Sequence, residues 1–543
     1  MSPNTSPISD ADTAAALRKS VYTILILIAL GGAVGRIFAV KTVDESTKYE
    51  GIRFRLYEQN NRLIREHRDG WSQERIDQEI AERTPEYLEN SRSCRPGLSA
   101  NDRSRWCTIR ALVEPDMRVE REVVINDEVR TRRVWYAIDN VQSEPGWDTI
   151  DMVKHRLPDD PDGTGYLFSS KPPLLPTLMA IPYAAIYYGS NEKYSMATHP
   201  FAVARVLLVL YNVIPMAIML FLIAGWAERY GKTGWGGLFV VATACFGTLL
   251  TTFVITINNH LAGAVCLAIA MDAALRIWLD GDQRLRWFVL AGFFAAFSVA
   301  CELPAAAFFF ALGIALLLLA PKQTLLAGAP AALLIGIGFF GTNWIAHKDL
   351  EPPYAHRMEG RDWTNGNWYI YTYDRGNRKD LSSHWLNTIG TIDEGEVSRG
   401  DYILHTTIGH HGVVSLTPVW LLAFAGIGIW LRRPPNDKEF YRWISAFILG
   451  LSLIVFVFFM TQGQGNRNYG GVTSGFRWMF FLAPLWLLTM LPAADWASRK
   501  KWSRGLAGIL LACSMVSVTY PTWNPWSHPW IWNFMDYLGL LSW

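Results

Sequence analysis

Several short polar clusters carry the residue types that acid–base or phosphate chemistry needs, and each lies beside an apolar block of the chain. Asn101-Asp102-Arg103-Ser104-Arg105-Trp106 opens an amphipathic stretch with Trp106, Ile109, Leu112 and Val113 on its apolar side. Asp102 there could take a proton as a general base. Asn101 or Asp102 could equally cap a surface helix. Lys171 stands in Ser169-Ser170-Lys171-Pro172-Pro173, where its ammonium could snorkel toward lipid headgroups or hold a phosphate.

Asn258-Asn259-His260 forms a polar turn between two apolar blocks and could bind a phosphate or a metal, although one histidine is a weak metal signal. Glu302 precedes Leu303-Pro304 at another turn, and a carboxylate at a membrane boundary is a functional candidate that could also simply pair with an arginine. His410 and His411 lie in Gly409-His410-His411-Gly412; adjacent histidines on a helix point apart and seldom share one metal. Tyr469 belongs to Asn468-Tyr469-Gly470-Gly471, whose glycines let the backbone approach a ligand closely. Arg477 and Arg205 both sit just inside apolar blocks, so each needs an anionic partner from the protein or a ligand. Trp523, Trp526, Trp530 and Trp532 in the tail read first as an interfacial aromatic belt. Cys94 and Cys107 share one polar segment and would be a disulfide candidate outside the cytoplasm. These residue types define no certain cofactor, and a divalent metal ion is the candidate they offer.

The elements that position these clusters are apolar helices. Half of the residues are hydrophobic and are gathered into long blocks, about eleven of which approach the roughly 20 residues that a bilayer crossing requires. The expected spans are 21–40, 201–225, 234–255, 260–279, 286–302, 304–320, 324–346, 412–431, 443–461, 476–494 and 505–520. Pro172–Tyr188 carries several prolines and is short, so an interfacial helix is expected there. With that choice, Arg18 and Lys19 share one side with Arg229, Lys232, Arg276, Arg284, Arg286, Lys322, Arg432, Arg433, Arg442 and the group Arg499–Arg504. The positive-inside rule makes that side, and the N-terminus 1–20, cytoplasmic. The polar segments 41–200 and 347–411 and the tail 521–543 then face outward, with membrane-spanning blocks at 201–346 and 412–520. Residues 42–100 read as an extracytoplasmic insertion. The first apolar block is longer than a signal-peptide core and reads as an uncleaved span. A net charge of +2 gives no argument for nucleic acid.

An N-terminal span, a large outer loop with an acidic short helix, and a Lys-Pro-containing interfacial helix together resemble the GT-C superfamily of membrane glycosyltransferases. The bacterial relatives of protein O-mannosyltransferase and of lipid A aminoarabinose transferase are the nearest forms. The resemblance covers the first span and the chain from about residue 101 onward, while 42–100 departs from the compact pattern. It implies an all-α polytopic fold in a bacterial inner membrane and a polyprenyl-phosphate sugar donor, with transfer to a lipid, glycan or protein acceptor on the outer face. In that scheme Asp102 is the base, with Asp44 or Glu45 as its rival. Lys171, Arg477 and Arg205 hold the phosphate, and His260 and Glu302 support the site or a metal. A lipid or solute transporter is the alternative from another class.

Overall fold

In the lipid core an unpaired backbone amide has no water to turn to, so the apolar blocks fold as helices that satisfy themselves. The computed structural model describes residues 10–65, 70–90, 97–125, 128–144, 146–158, 165–357, 359–376, 378–389, 391–435, 439–521 and 523–541. Among these, seven helices are long and apolar enough to cross a membrane: Thr13–Val40, Pro200–Tyr230, Asn259–Trp278, Pro321–His347, Glu439–Met460, Arg477–Ala497 and Lys501–Thr519. Gly234–Phe246 and Leu249–Ile255, bent by 40°, add an eighth if they form one span. Large apolar side chains are exposed along these helices, including Leu325, Leu326, Leu333 and Leu334 on one and Leu453, Ile454 and Val457 on another. Such surfaces are unfavourable in water and at home in hydrocarbon, which makes this an integral membrane protein.

Three of the expected spans form helices shorter than a full crossing needs. Residues 286–302 and 304–320 become Leu285–Cys301 and Leu303–Leu319, separated at Glu302 beside Pro304. The block 412–431 divides into Val413–Leu416 and Trp420–Arg432 around Pro418, which has no N–H to continue the ladder. The segment expected as an interfacial helix forms the helix Leu174–Gly189, whose 16 residues are too few for a perpendicular crossing at 1.5 Å per residue. The first helix runs much further than its apolar part, over Asp10–Arg65, so the insertion begins as its continuation. A second insertion helix, Gln73–Asn90, follows, with Ile76 and Ile80 buried against Leu56 and Trp71.

The all-α expectation missed three antiparallel hairpins in the polar segments. They are β1 (Val119–Ile125) with β2 (Glu128–Val134), β3 (Met152–His155) with β4 (Tyr166–Ser169), and β5 (Thr372–Arg375) with β6 (Arg378–Ser382).

The chain divides into two compact units. One comprises 1–35, 210–337 and 388–543. Its interior is formed by Asn259–Trp278 and Ala483–Ala497, both buried over most of their length. Gly426 allows close backbone packing there, because a Cβ at that position would lie 1.8 Å from the Thr489 carbonyl oxygen. The other unit comprises 36–209 and 338–387. In it the polar segments 41–200 and 347–411 join: Lys154 N–H donates to the Trp368 carbonyl at 2.9 Å, and His155 Nε2 lies 2.9 Å from His347 Nδ1. The His155 ring is sandwiched between Phe168 and Trp368, at 4.5 and 4.0 Å.

Candidate functional site

In the unit containing 36–209, the helix Ala100–Val113 begins with Ser99 as its N-cap and Asp102 three residues on, a reciprocal capping box. Asp102 accepts main-chain N–H bonds from Leu98 (3.0 Å), Ser99 (2.8 Å) and Arg103 (3.0 Å) and is completely buried. Burial pushes its carboxyl up to about 6 despite those donors. Both of its oxygens are therefore committed to holding the helix start. The expectation that Asp102 is a base meets that obstacle: the carboxylate is fully buried, and three of its roughly four acceptor sites are taken by main-chain N–H groups.

The carboxylate beside Lys171 is Asp151, which the sequence reading overlooked. β3 pairs with β4 so that Met152 faces Ser169, and the residues just outside that pair, Asp151 and Ser170, become neighbours. Ser170 N–H donates to the Asp151 carbonyl at 3.1 Å, and Lys171 Nζ lies 2.9 Å from Asp151 Oδ1. Ser104 of the capped helix fixes the same corner by donating to the Asp151 carbonyl at 2.6 Å. The pair is only partly covered, with the side chains 20% and 14% exposed, so a ligand can reach it. Lys171 also stands just ahead of the apolar helix Leu174–Gly189.

Arg205 has a different partner from the one expected. Its guanidinium donates to the Phe38 carbonyl at 2.7 Å and lies 5.0 Å from the Phe38 ring, which fastens two helices. Cys107 is a free, buried thiol near the Trp147 carbonyl, and burial pushes it up to about 12. Cys94, its suggested disulfide partner, and the side chains of Asp44 and Glu45 lie outside the described residues.

The other unit gathers most of the remaining candidates. Asn258 caps Asn259–Trp278 through a 2.9 Å bond from Leu261 N–H, which puts Asn259 and His260 in the first turn. Glu302 ends Leu285–Cys301 and accepts from Asn259 Nδ2 at 2.8 Å and from His260 Nδ1. His260 Nε2 is 2.6 Å from the Arg477 guanidinium. Arginine has only donors, so Nε2 must accept, and the Nδ1 proton must point to Glu302. The imidazole thus bridges Arg477 and Glu302 as a neutral ring with both nitrogens engaged. Both ring nitrogens of His260 are therefore engaged by protein partners.

Arg477 also donates through Nε to the Gly470 carbonyl at 2.7 Å and lies 5.1 Å from the Trp526 ring. The turn that offers this carbonyl is left-handed at three successive residues, Tyr469 (φ 59°), Gly470 (99°) and Gly471 (82°). Phe476 N–H bonds the His411 carbonyl at 3.1 Å, and the His411 ring stacks on Tyr469 at 4.2 Å. Tyr469 donates to Glu396. His410 and His411 face each other through their Nδ1 atoms at 2.6 Å. Burial holds His410 down to about 2 and His528 to about 4, so these rings are neutral at physiological pH. The tail contributes to this cluster: Trp532 stacks on His528 at 4.3 Å and meets His410 edge-on at 4.6 Å. Trp526 and Trp532 are buried, whereas Trp523 and Trp530 are exposed as an aromatic belt requires.

Two groups of side chains are placed so that they could hold a metal ion: Glu396 with His405 and His410, and Glu351 with His356 and Glu359. The sequence reading named only His410 among them. No protein-family model matches the chain, and no curated protein matches it.

Proposed function

We propose that the protein is a GT-C-type glycosyltransferase that moves a sugar from a polyprenyl-phosphate carrier to an acceptor at the outer surface of a bacterial inner membrane. The observation that carries this reading is the Asp151–Lys171 pair, partly open and held 2.9 Å apart at the start of a short apolar helix. As the acceptor oxygen bonds to the anomeric carbon, its proton passes to a carboxylate. The bond from that carbon to the phosphate oxygen breaks, and its electron pair leaves with the polyprenyl phosphate. Asp151 supplies the carboxylate in this scheme, in place of Asp102, and Lys171 supplies a cation for the oxygen that gains charge. Arg477, against Gly470 and Trp526, is an anion ligand of its own unit, backed by His260, Glu302 and Asn259.

The bent pair and three of the shorter apolar helices, Leu285–Cys301, Leu303–Leu319 and Trp420–Arg432, bring the proposed crossings to eleven, with Leu174–Gly189 lying in the interface. Basic residues favour the cytoplasmic ends: Asn259–Trp278 carries Arg276 near its C-terminus and His260 at the opposite end. The test is release of polyprenyl phosphate from a panel of labelled polyprenyl-phosphate sugars by the purified protein in proteoliposomes. Release with sugar transfer or hydrolysis supports the proposal. Movement of an intact donor across the bilayer without release would instead establish the transporter reading.

A further inference from the structure

We infer that Glu396, His405 and His410 form a zinc site, independently of the glycosyltransferase reading. One oxygen of Glu396 and one nitrogen of each histidine all lie within 4.8 Å of one another. Each histidine also has a ring nitrogen with a second mark. His405 Nδ1 and His410 Nε2 are both buried, and no protein group bonds to either, although His410 as a whole is 1% exposed. A buried imidazole nitrogen without a partner is costly, and a metal ion accepts its lone pair. Both histidines and Glu396 also line a cleft of about 580 Å³, together with Asp401 and Leu540.

The surroundings hold each donor in place. Glu396 follows Gly395, whose φ of 75° turns the chain, and Glu396 N–H bonds the Arg467 carbonyl at 2.9 Å. His405 lies on the helix Arg399–Thr407, capped by Ser398. His410 follows Gly409, where a Cβ would fall 2.4 Å from His405 Nδ1, so only glycine leaves that nitrogen room. Behind the donors, Tyr469 donates to Glu396, and His410 Nδ1 meets His411 Nδ1 at 2.6 Å. With Nε2 on a metal, the neutral His410 ring carries its proton on Nδ1 and donates it to His411. This is the outer-shell pattern that orients metal-binding histidines.

Two imidazoles and a carboxylate favour zinc over calcium or magnesium, which prefer oxygen. Zinc–ligand distances near 2.0–2.2 Å require the donors to draw in by roughly an ångström and the His405 and His410 rings, stacked at 3.9 Å, to tilt so that both in-plane lone pairs meet one ion. Three protein ligands leave a fourth position open to the cleft.

The test strips the full-length protein in detergent with a chelator, re-equilibrates it with zinc, removes free metal and measures bound zinc by mass spectrometry. One zinc per chain is expected, lost in His405→Ala and in Glu396→Gln, and retained in His356→Ala of the second cluster. Tyr469→Phe should weaken zinc binding roughly 10–100-fold by removing the bond that orients Glu396. A parallel titration of the unmodified protein with cobalt(II) needs no variant, and the intense visible bands of nitrogen-ligated, four-coordinate cobalt are expected. Wild type that retains no zinc, full retention in His405→Ala, loss through His356→Ala, or only the weak spectrum of oxygen-ligated cobalt would each overturn the site.

Discussion

Replacing Asp102 distinguishes a helix cap from a catalytic base, because the two roles predict different responses to the same pair of substitutions. Asp102 is fully buried and its carboxyl is raised from 3.8 to about 6 by that burial. Two pKa units correspond to about 3 kcal/mol charged against the ionised form at neutral pH. Asp102→Asn removes this charge and keeps an acceptor for Ser99 and Arg103, while its amide faces the Leu98 N–H. One lost main-chain bond costs about 1–3 kcal/mol. The two effects nearly cancel, so the asparagine variant should stay within about 2 kcal/mol of wild type and keep its turnover. Asp102→Ala deletes all three acceptors and should lose about 2–4 kcal/mol, through the cap and the stranded amides. Thermal unfolding in detergent measures the stability, and polyprenyl phosphate release measures the turnover. A fall of about 100-fold or more in turnover for Asp102→Asn, with unchanged melting, would refute the capping argument and return Asp102 to the chemistry.

Arg477→Met leaves Glu302 buried without its bridged cation and should destabilise the protein by about 3–5 kcal/mol, seen as a lower melting temperature. Arg205→Gln should leave turnover near wild type, because its guanidinium serves the Phe38 carbonyl; a large selective loss of turnover would contradict this. Acid should weaken the tail cluster. His528 titrates near 4 when folded and near 6.5 when unfolded, so between those values the unfolded chain holds more protons and stability falls as pH drops. At pH 5 this one ring costs roughly 2 kcal/mol relative to pH 7.5, which should appear as faster hydrogen exchange at 528–534.

Seven of the eleven expected spans were legible because bilayer thickness and backbone satisfaction translate directly into block length. Where the blocks broke, the cause was local and partly visible: Pro304 and Pro418 interrupt the ladder, and the 247–248 junction bends another span. Asn259, His260, Glu302 and Arg477 were each flagged as polar residues at span ends, and the structure brings them into one bonded set. Their partners could not be read, because spacing along the chain says nothing about contacts 42 or 217 residues apart. Asp151 was missed for a recoverable reason. The β-rich runs 152–155 and 166–169 flank a sequence rich in Pro, Asp and Gly, a hairpin signal that an all-helix reading leaves unused. Asp102 differs from its capping expectation in position: the N-cap is Ser99, three residues before it, and Asp102 is the partner at the third helical position of the capping box.

The central claim is tested most directly by sugar transfer from a polyprenyl-phosphate donor, comparing wild type with Asp151→Asn and Lys171→Ala in folded, monodisperse protein. The account predicts measurable transfer by wild type and a fall in kcat of about 100-fold or more for Asp151→Asn, with little change in donor KM. Lys171→Ala should lower kcat as well, through the loss of charge stabilisation on the departing phosphate. Transfer that proceeds at the wild-type rate in both variants would contradict the account.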